Sequence, residues 1–231
     1  MSRGEAFFYV IVGAPGAGKS SQIHCTLLDS PAPRLLVFDI EREYGHAGTV
    51  LRSTEALRVA LIAAGPRGEV RLVYQPGTDD PVELRRKFDV FCRLAFAARN
   101  LLCVVDELAD VDSPNPTEVV PGWAQLLRRG RKRGVQVLAG TQRPADVNKR
   151  LWSFATRLRV GRLSYSSDEI ELAGALKVNR AEVAALLDTQ WIERDRMRGT
   201  LTRGMIQWRR GRPVNVPLLA ARPTRPARTA P

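Results

Sequence analysis

The stretch FFYVIVGAPGAGKSS, residues 7–21, decides the fold. Within it Gly13–Ser20 satisfies the spacing Gly-x-x-x-x-Gly-Lys-Ser/Thr, with an apolar run before it and a helical pattern opening at Lys19. Such a loop cradles phosphate only in that setting. Glycines let the backbone wrap closely around the anion with its N–H groups turned inward. The helix that follows adds the positive end of its dipole. The reading assigns Gly13, Ala14, Pro15, Gly16, Ala17, Gly18, Lys19, Ser20 and Ser21 to a nucleotide's phosphates. Lys19 reaches the β- and γ-phosphates, Ser20 supplies an oxygen to Mg2+, and Ser21 bonds the α-phosphate. ATP and Mg2+ are therefore the expected cofactors.

Outward from the loop, residues 34–40, 70–75, 101–107 and 135–141 are short apolar runs. They are continuous rather than alternating, as strands of a parallel sheet covered on both faces are. Helices are expected from Lys19, over 53–64, over 81–100 and over 119–132, and residues 156–163 form a sixth strand. Ser53 and Thr54 are caps, and Pro81 suits a first helical turn. The fold class is α/β, a doubly wound, mostly parallel sheet with helices on both faces. Residues 1–165 form the core. Residues 166–216 form a small α+β C-terminal appendage packed on it, with two short amphipathic helices, Asn179 capping the second, and a hairpin around Arg203-Gly204. Residues 217–231 read as a basic mobile tail.

Two strands end in acids. Asp39 closes 34–40, whereas 101–107 ends in adjacent carboxylates, Asp106 and Glu107. Adjacent acids suit hydrolysis: Asp106 holds Mg2+ while Glu107 polarises the attacking water. Asp39 takes a supporting place beside them. If strand 135–141 lies between the cradle strand and the acidic strand, its end points Thr141 and Gln142 at the γ-phosphate and the lytic water. The glutamine amide donates and accepts, so it can bond phosphate or water. The competing reading makes Gln142 a polar cap before a helix opening at Pro144.

The net charge of +12 is concentrated. Residues 191–231 hold ten arginines against Glu193 and Asp195, a local +8, and Arg128, Arg129, Arg131, Lys132 and Arg133 add +5. Localised cations fit a polyanion partner. Three uses stay open for the block at 128–133: an arginine finger for a neighbour's γ-phosphate, contact with DNA phosphates, or simple compensation of a helix C-terminus. Cys25, Cys92 and Cys103 fit no paired spacing and read as reduced core thiols. No apolar run approaches the ~20 residues of a membrane span, and the N-terminus lacks a signal-peptide pattern, so a cytoplasmic protein is expected.

IVGAPGAGKS, VFDIEREYG, CVVDELADV and RRGRKRGVQVLAGTQRP occur in the order seen in the HerA/FtsK superfamily of DNA-pumping ATPases, and the chain resembles that superfamily over residues 7–162. The resemblance implies an ASCE, RecA-like P-loop fold and matches Asp39, Glu43 and Tyr44 to the family's segment after its second strand. It further implies a homo-oligomeric ring, expected to be a hexamer, with Gln142 as sensor and a finger among Arg128, Arg129 and Arg131. A motor without membrane or DNA-reading segments is most similar to genome-packaging ATPases of icosahedral, membrane-containing viruses. The leading expectation is an ATPase that moves double-stranded DNA without reading its sequence. Its further partners would be a capsid vertex or viral membrane proteins, it would take no small-molecule substrate beyond ATP, and it would work in the host cytoplasm or at a packaging vertex. A cellular or mobile-element DNA translocase, a P-loop small-molecule kinase and a nucleotide-gated assembly factor are the alternatives.

Overall fold

The apolar runs become strands β1 (Phe8–Val12), β2 (Arg34–Phe38), β3 (Thr49–Leu51), β4 (Val70–Tyr74), β5 (Leu102–Val105), β6 (Gln136–Thr141) and β7 (Arg157–Gly161). The structure is a computed structural model describing residues 7–29, 32–113, 115 and 118–218. Every residue of β1, β2 and β5 is buried, as parallel strands covered on both faces must be. Their side chains alternate between two cores. Phe8, Val10, Val12, Leu36 and Phe38 point to one, while Tyr9, Ile11, Leu35 and Val37 point to the other.

Helix α1 (Lys19–Asp29) covers the second core with Ile23 and Leu27. Helices α2 (Thr54–Ala64), α3 (Pro81–Ala98) and α4 (Pro121–Arg129) cover the first. There Phe88 lies between Phe38 and Trp123, with ring centroids 5.3 and 5.6 Å away. Helix starts follow local chemistry. Ser53 Oγ accepts the Ala56 N–H at 3.1 Å, and Asp80 accepts the Val82 N–H at 3.1 Å with Pro81 in the first turn. Helix α4 stops at Arg129, and a 3-10 turn, Gly130–Arg133, carries the chain to Gly134. That glycine has φ +72, and any Cβ there would meet Asn100 Oδ1.

The strands run in the order β7-β1-β6-β5-β2-β4-β3, all parallel. Strand β6 therefore sits between the cradle strand and the acidic strand, the arrangement on which the reading of Gln142 depends. Short α5 (Arg150–Phe154), α6 (Ser166–Leu176) and α7 (Arg180–Ala184) follow, the last opened by a capping box between Asn179 and Glu182.

Three further strands, β8 (Gln190–Asp195), β9 (Thr200–Arg209) and β10 (Arg212–Pro217), continue the same sheet antiparallel beyond β7. The C-terminal region is thus an extension of the core sheet. The hairpin expected around Arg203-Gly204 turns instead at Arg210-Gly211. Gly204 lies inside β9 for another reason: it faces Trp191 in register, and the indole fills the space a Cβ would need, 2.2 Å from Cζ2. Of the segment 217–231 expected to form a basic tail, Pro217 closes β10, and residues 219–231 lie outside the described residues.

Two glycine substitutions should therefore move stability in opposite directions. Gly204→Ala drives a methyl into Trp191 and the Val216 carbonyl and should cost ~1–3 kcal/mol. Gly174→Ala, in α6 with open space around it, should gain ~0.5–1 kcal/mol through helix propensity. Urea denaturation of the two variants checks both signs.

Candidate nucleotide site

After β1 the chain forms a loop closed on both sides by its neighbours. Gly13 N–H donates to Thr141 O at 3.2 Å, and Ala14 N–H donates to Arg162 O at 2.8 Å. Gly16 and Gly18 take φ +82 and +89, conformations in which a side chain is strained. Helix α1 begins at Lys19, so its free N–H groups crown the loop. Beside this rim lies a cavity of about 810 Å³, lined among others by Lys19, Ser20, Asp106, Glu107 and Gln142, a size that suits a nucleotide.

Lys19 is buried at 7% exposure and crosses β6 to reach the acidic strand. Its Nζ donates to Asp106 O at 2.8 Å and to Asp106 Oδ1 at 3.0 Å, and lies 3.4 Å from Glu107 Oε2. The crossing requires Gly140, where a Cβ would come within 3.0 Å of Lys19 Cδ and 2.5 Å of Asp106 O. Burial alone would lower the lysine's pKa, but the Asp106 and Glu107 carboxylates outweigh it and leave it raised.

Tyr44 donates its hydroxyl to Asp106 Oδ1 at 3.2 Å. Burial and the Asp106 charge push this phenol's pKa up, with a bond from Ser20 working in the other direction, so Tyr44 links the two oxygens expected at Mg2+. Ser20 and Asp106 fit such an ion. Magnesium takes one or two protein oxygens and completes its shell with phosphate and water. Among the described residues no group of three or more His, Cys, Asp or Glu could hold a metal. Asp39 faces the support of this corner. Its carboxylate accepts the N–H groups of Glu43 at 2.9 Å and Tyr44 at 3.2 Å, and the Gln75 amide at 3.0 Å.

Glu107 is held at the end of β6. Its two oxygens accept the Gln142 N–H at 3.2 and 3.0 Å, and Oε1 accepts the Ala109 N–H at 3.3 Å. Burial raises its pKa, opposed by Lys19 and by bonds from Thr141, Ala109 and Gln142. The Gln142 side chain is exposed on the cavity wall, while Pro144 opens a 3-10 turn immediately after it.

Arg128, Arg129 and Arg131 do not line this cavity. They are exposed at the end of α4 and in the following turn, at the entry of β6. Six residues of strand, roughly 20 Å, separate that entry from Gln142. Lys132 is exposed as well, and Arg133 lies 4.6 Å over the Phe96 ring.

Two arginines that sequence reasoning did not select lie at the site. Arg143, paired to Asp110, lines the cavity, and its place directly after Gln142 was the available signal. Arg162 directly follows β7 and braces the cradle, donating to Pro15 O at 2.8 Å and to Asp188 at 2.5 Å. Its signal was weak, because nothing local marked the end of β7 as adjacent to the loop. All three cysteines are buried and in no disulfide, and burial pushes the Cys103 thiol up to about 12.

No protein-family model matches the chain. Protein P9 of Pseudoalteromonas phage PM2 is 30% identical over 182 residues, covering 77% of this chain and 78% of that protein. Among solved structures, the genome packaging NTPase B204 from Sulfolobus turreted icosahedral virus 2, in complex with ATP-gammaS, superposes with TM-score 0.68 at 14% identity. That match covers 88% of this chain and 98% of B204. VirB4 of Thermoanaerobacter pseudethanolicus gives TM-score 0.65 at 13% identity over 92% of this chain and 89% of its own. The plasmid coupling protein TrwB, with a non-hydrolysable GTP analogue, gives 0.62 at 13% identity over 85% and 84%. At these identities the structural matches establish a shared fold.

Glu107→Gln tests the electrostatics of the site. Because the folded pKa of Glu107 is raised, its ionised form weakens the fold relative to its protonated form, and wild-type stability falls as pH rises through that pKa. The Gln variant lacks this loss. Its stability relative to wild type should rise from pH 4 to pH 8. Denaturant midpoints across that range give the slope, and a flat difference would contradict the assignment.

Proposed function

The chain belongs to the family of phage PM2 protein P9, among the P-loop ATPases of the HerA/FtsK type, and from that premise we propose that it hydrolyses ATP to drive double-stranded DNA through a ring of its own copies, as the genome-packaging motor of a virus. The observation that carries the reading is Glu107, held by the Gln142 backbone at the point where β6 meets the nucleotide cavity.

The cradle and Lys19 bind and orient the phosphates. Lys19 bonds Asp106, and a bound triphosphate would offer it further acceptors on the same side. Ser20 and Asp106 would hold Mg2+, which supplies charge neutralisation at the β- and γ-phosphates when bound. Glu107 accepts the proton of the attacking water. Its raised pKa brings it closer to working pH than an exposed carboxylate, which suits a general base. The Gln142 amide bonds the γ-phosphate or the water, and its backbone reports the state of Glu107 to the turn at Pro144. Adjacent carboxylates with a glutamine serve water activation, which favours hydrolysis over transfer to a small acceptor. Arg128, Arg129 and Arg131 serve a neighbour's site, since their own cavity is out of reach.

The names of the relatives support the viral reading, B204 being called a genome packaging NTPase. The expected place of work is the host cytoplasm or a packaging vertex. ATP turnover should rise several-fold with duplex DNA, and Lys19→Ala and Glu107→Gln should each lose 10²-fold or more. Mixing Arg131→Ala with Lys19→Ala subunits should restore part of the activity, because one kind keeps an intact cavity and the other an intact finger. Turnover indifferent to DNA across a salt series would sink the motor reading.

A further inference from the structure

The end of the β9–β10 hairpin breaks three local rules at once. Arg210 and Gly211 form its two-residue turn with φ +51 and +74, a geometry that favours Asn, Asp or Gly at both positions, yet a cation stands first. Arg209 and Arg212 face each other in register across the strands, so two like charges share one face. Trp208 beside them is 64% exposed. No acid occurs between Arg196 and Leu218, and Arg209, Arg210 and Arg212 form no ion pair among the described residues. Other arginines of the segment are engaged elsewhere, Arg203 with Glu182 and Arg196 with the Trp152 and Ala155 carbonyls at the end of α5. Local costs gathered at one exposed point mark a site kept for a ligand. Arg209 donates to the Gln207 amide oxygen at 3.1 Å, and the ligand that relieves three guanidinium groups with no acidic partner is a polyanion.

The root of the same hairpin rests on the nucleotide machinery. Ile206 is buried, with Cδ1 2.9 Å from where a Cβ on Gly18 would stand. Pro213 O accepts from Cys25 Sγ on α1 at 3.1 Å. Asn215 accepts from Arg159 Nη1 at 2.6 Å, and Arg159 also bonds Gln22 of α1. A tip that touches a ligand is therefore fixed to the cradle helix within one hairpin length. Pro213 and Pro217 on β10 blunt the outer edge against pairing with another strand.

Resting on the motor reading, we infer that this tip, Arg209, Arg210 and Arg212 with Trp208, grips the phosphate backbone of duplex DNA. Arginine's planar fork matches phosphate oxygens bidentately, and such contacts position the duplex without reading its bases. Trp208 projects from the other face of β9 and adds exposed apolar surface at the same tip.

The test uses the full chain and a short duplex, with affinity measured by fluorescence anisotropy over a salt series. The variant Arg209→Gln/Arg210→Gln/Arg212→Gln should lower the log–log salt slope by about 2.7, weaken binding at least roughly tenfold near 0.1 M salt, and reduce the ratio of turnover with DNA to turnover without it. A control with the same charge change, Arg58→Gln/Arg93→Gln/Arg180→Gln, removes exposed arginines paired to Glu55, Asp89 and Glu169, and should leave the slope near wild type. The single variant Arg210→Gly keeps the proposal testable if the triple variant fails to fold. It should raise the melting temperature by relieving the turn, yet lower the slope by about 0.9. A wild-type slope in the hairpin variants, or a loss no larger than the control's, overturns the inference while leaving the motor reading intact. Retained DNA binding with lost binding to phosphatidylserine vesicles overturns it in favour of a lipid surface. Wild-type protein that neither binds duplex DNA nor responds to it overturns the motor reading and this inference together.

Discussion

A buried ammonium between two carboxylates organises the centre of this protein. Lys19 leaves the cradle, passes over β6 and meets Asp106 and Glu107, with almost no solvent to screen any of the three. Charges withdrawn from water this far survive only when paired and hydrogen-bonded, and removing one partner from such a set costs about 3–5 kcal/mol. The pairing in turn dictates the backbone. Strand β6 must lie between the two charged ends, and it must carry a glycine, Gly140, where the lysine stem crosses. On the other side of β1, Gly161 of β7 makes similar room, since a Cβ there would come within 3.2 Å of Ala17. The two glycines flanking β1 are thus the consequence of one ionic contact and one tight loop.

A second buried ion cluster does for the C-terminal strands what Lys19 does for the site. Glu193 on β8 accepts from Tyr9 Oη at 2.6 Å, Arg157 at 2.6 Å and Arg159 at 2.8 Å. Burial would raise its pKa, yet the two arginines hold it below the usual carboxylate range. Arg159 also stacks 3.7 Å over Trp191, the ring that requires Gly204. Opposite charges thus join β7 to β8, while the Tyr9 hydroxyl ties in the cradle strand and Asn215 the hairpin, under an aromatic lid. A charge placed there is satisfied by its neighbours across the sheet, so an added set of strands can extend a parallel core without a large apolar patch of its own.

That is also why the sequence read well in one half and less well in the other. The parallel strands betray themselves because burial on both faces demands unbroken apolar runs, and the cradle because phosphate binding demands glycines at set spacing. Strand β8, QWIERD, carries Glu193 and Asp195, whose partners on β7 are adjacent only after folding. Read along the chain, those charges say surface. Gly204 misled for a related reason: a glycine directly after Thr202 and Arg203 suggests a turn, and only the position of Trp191 shows that it makes space. Short β3, three residues with Thr49 exposed, has too little pattern to register. At the candidate site, the convergence of Lys19, Ser20, Asp106, Glu107 and Gln142 on one cavity was legible from residue type and spacing. Arg162 and Arg143, which act through their place at strand ends, needed the topology.

The placement of the basic block bears on assembly under the proposed function. Arg128, Arg129 and Arg131 sit where β6 begins, and the cavity sits where β6 ends. An arginine side chain does not span the length of that strand, so these cations complete no site within their own subunit. If they complete a neighbour's, donor surface and acceptor surface lie on different parts of the molecule. An isologous two-fold contact presents the same patch from both sides, whereas separated donor and acceptor patches call for a head-to-tail contact. Repeated with a closing rotation, that contact makes a ring in which every cavity receives one finger. The hairpin would then move with the cradle helix it rests on, through Ile206, Pro213 and Asn215, so that each turnover in the ring displaces the element holding the duplex.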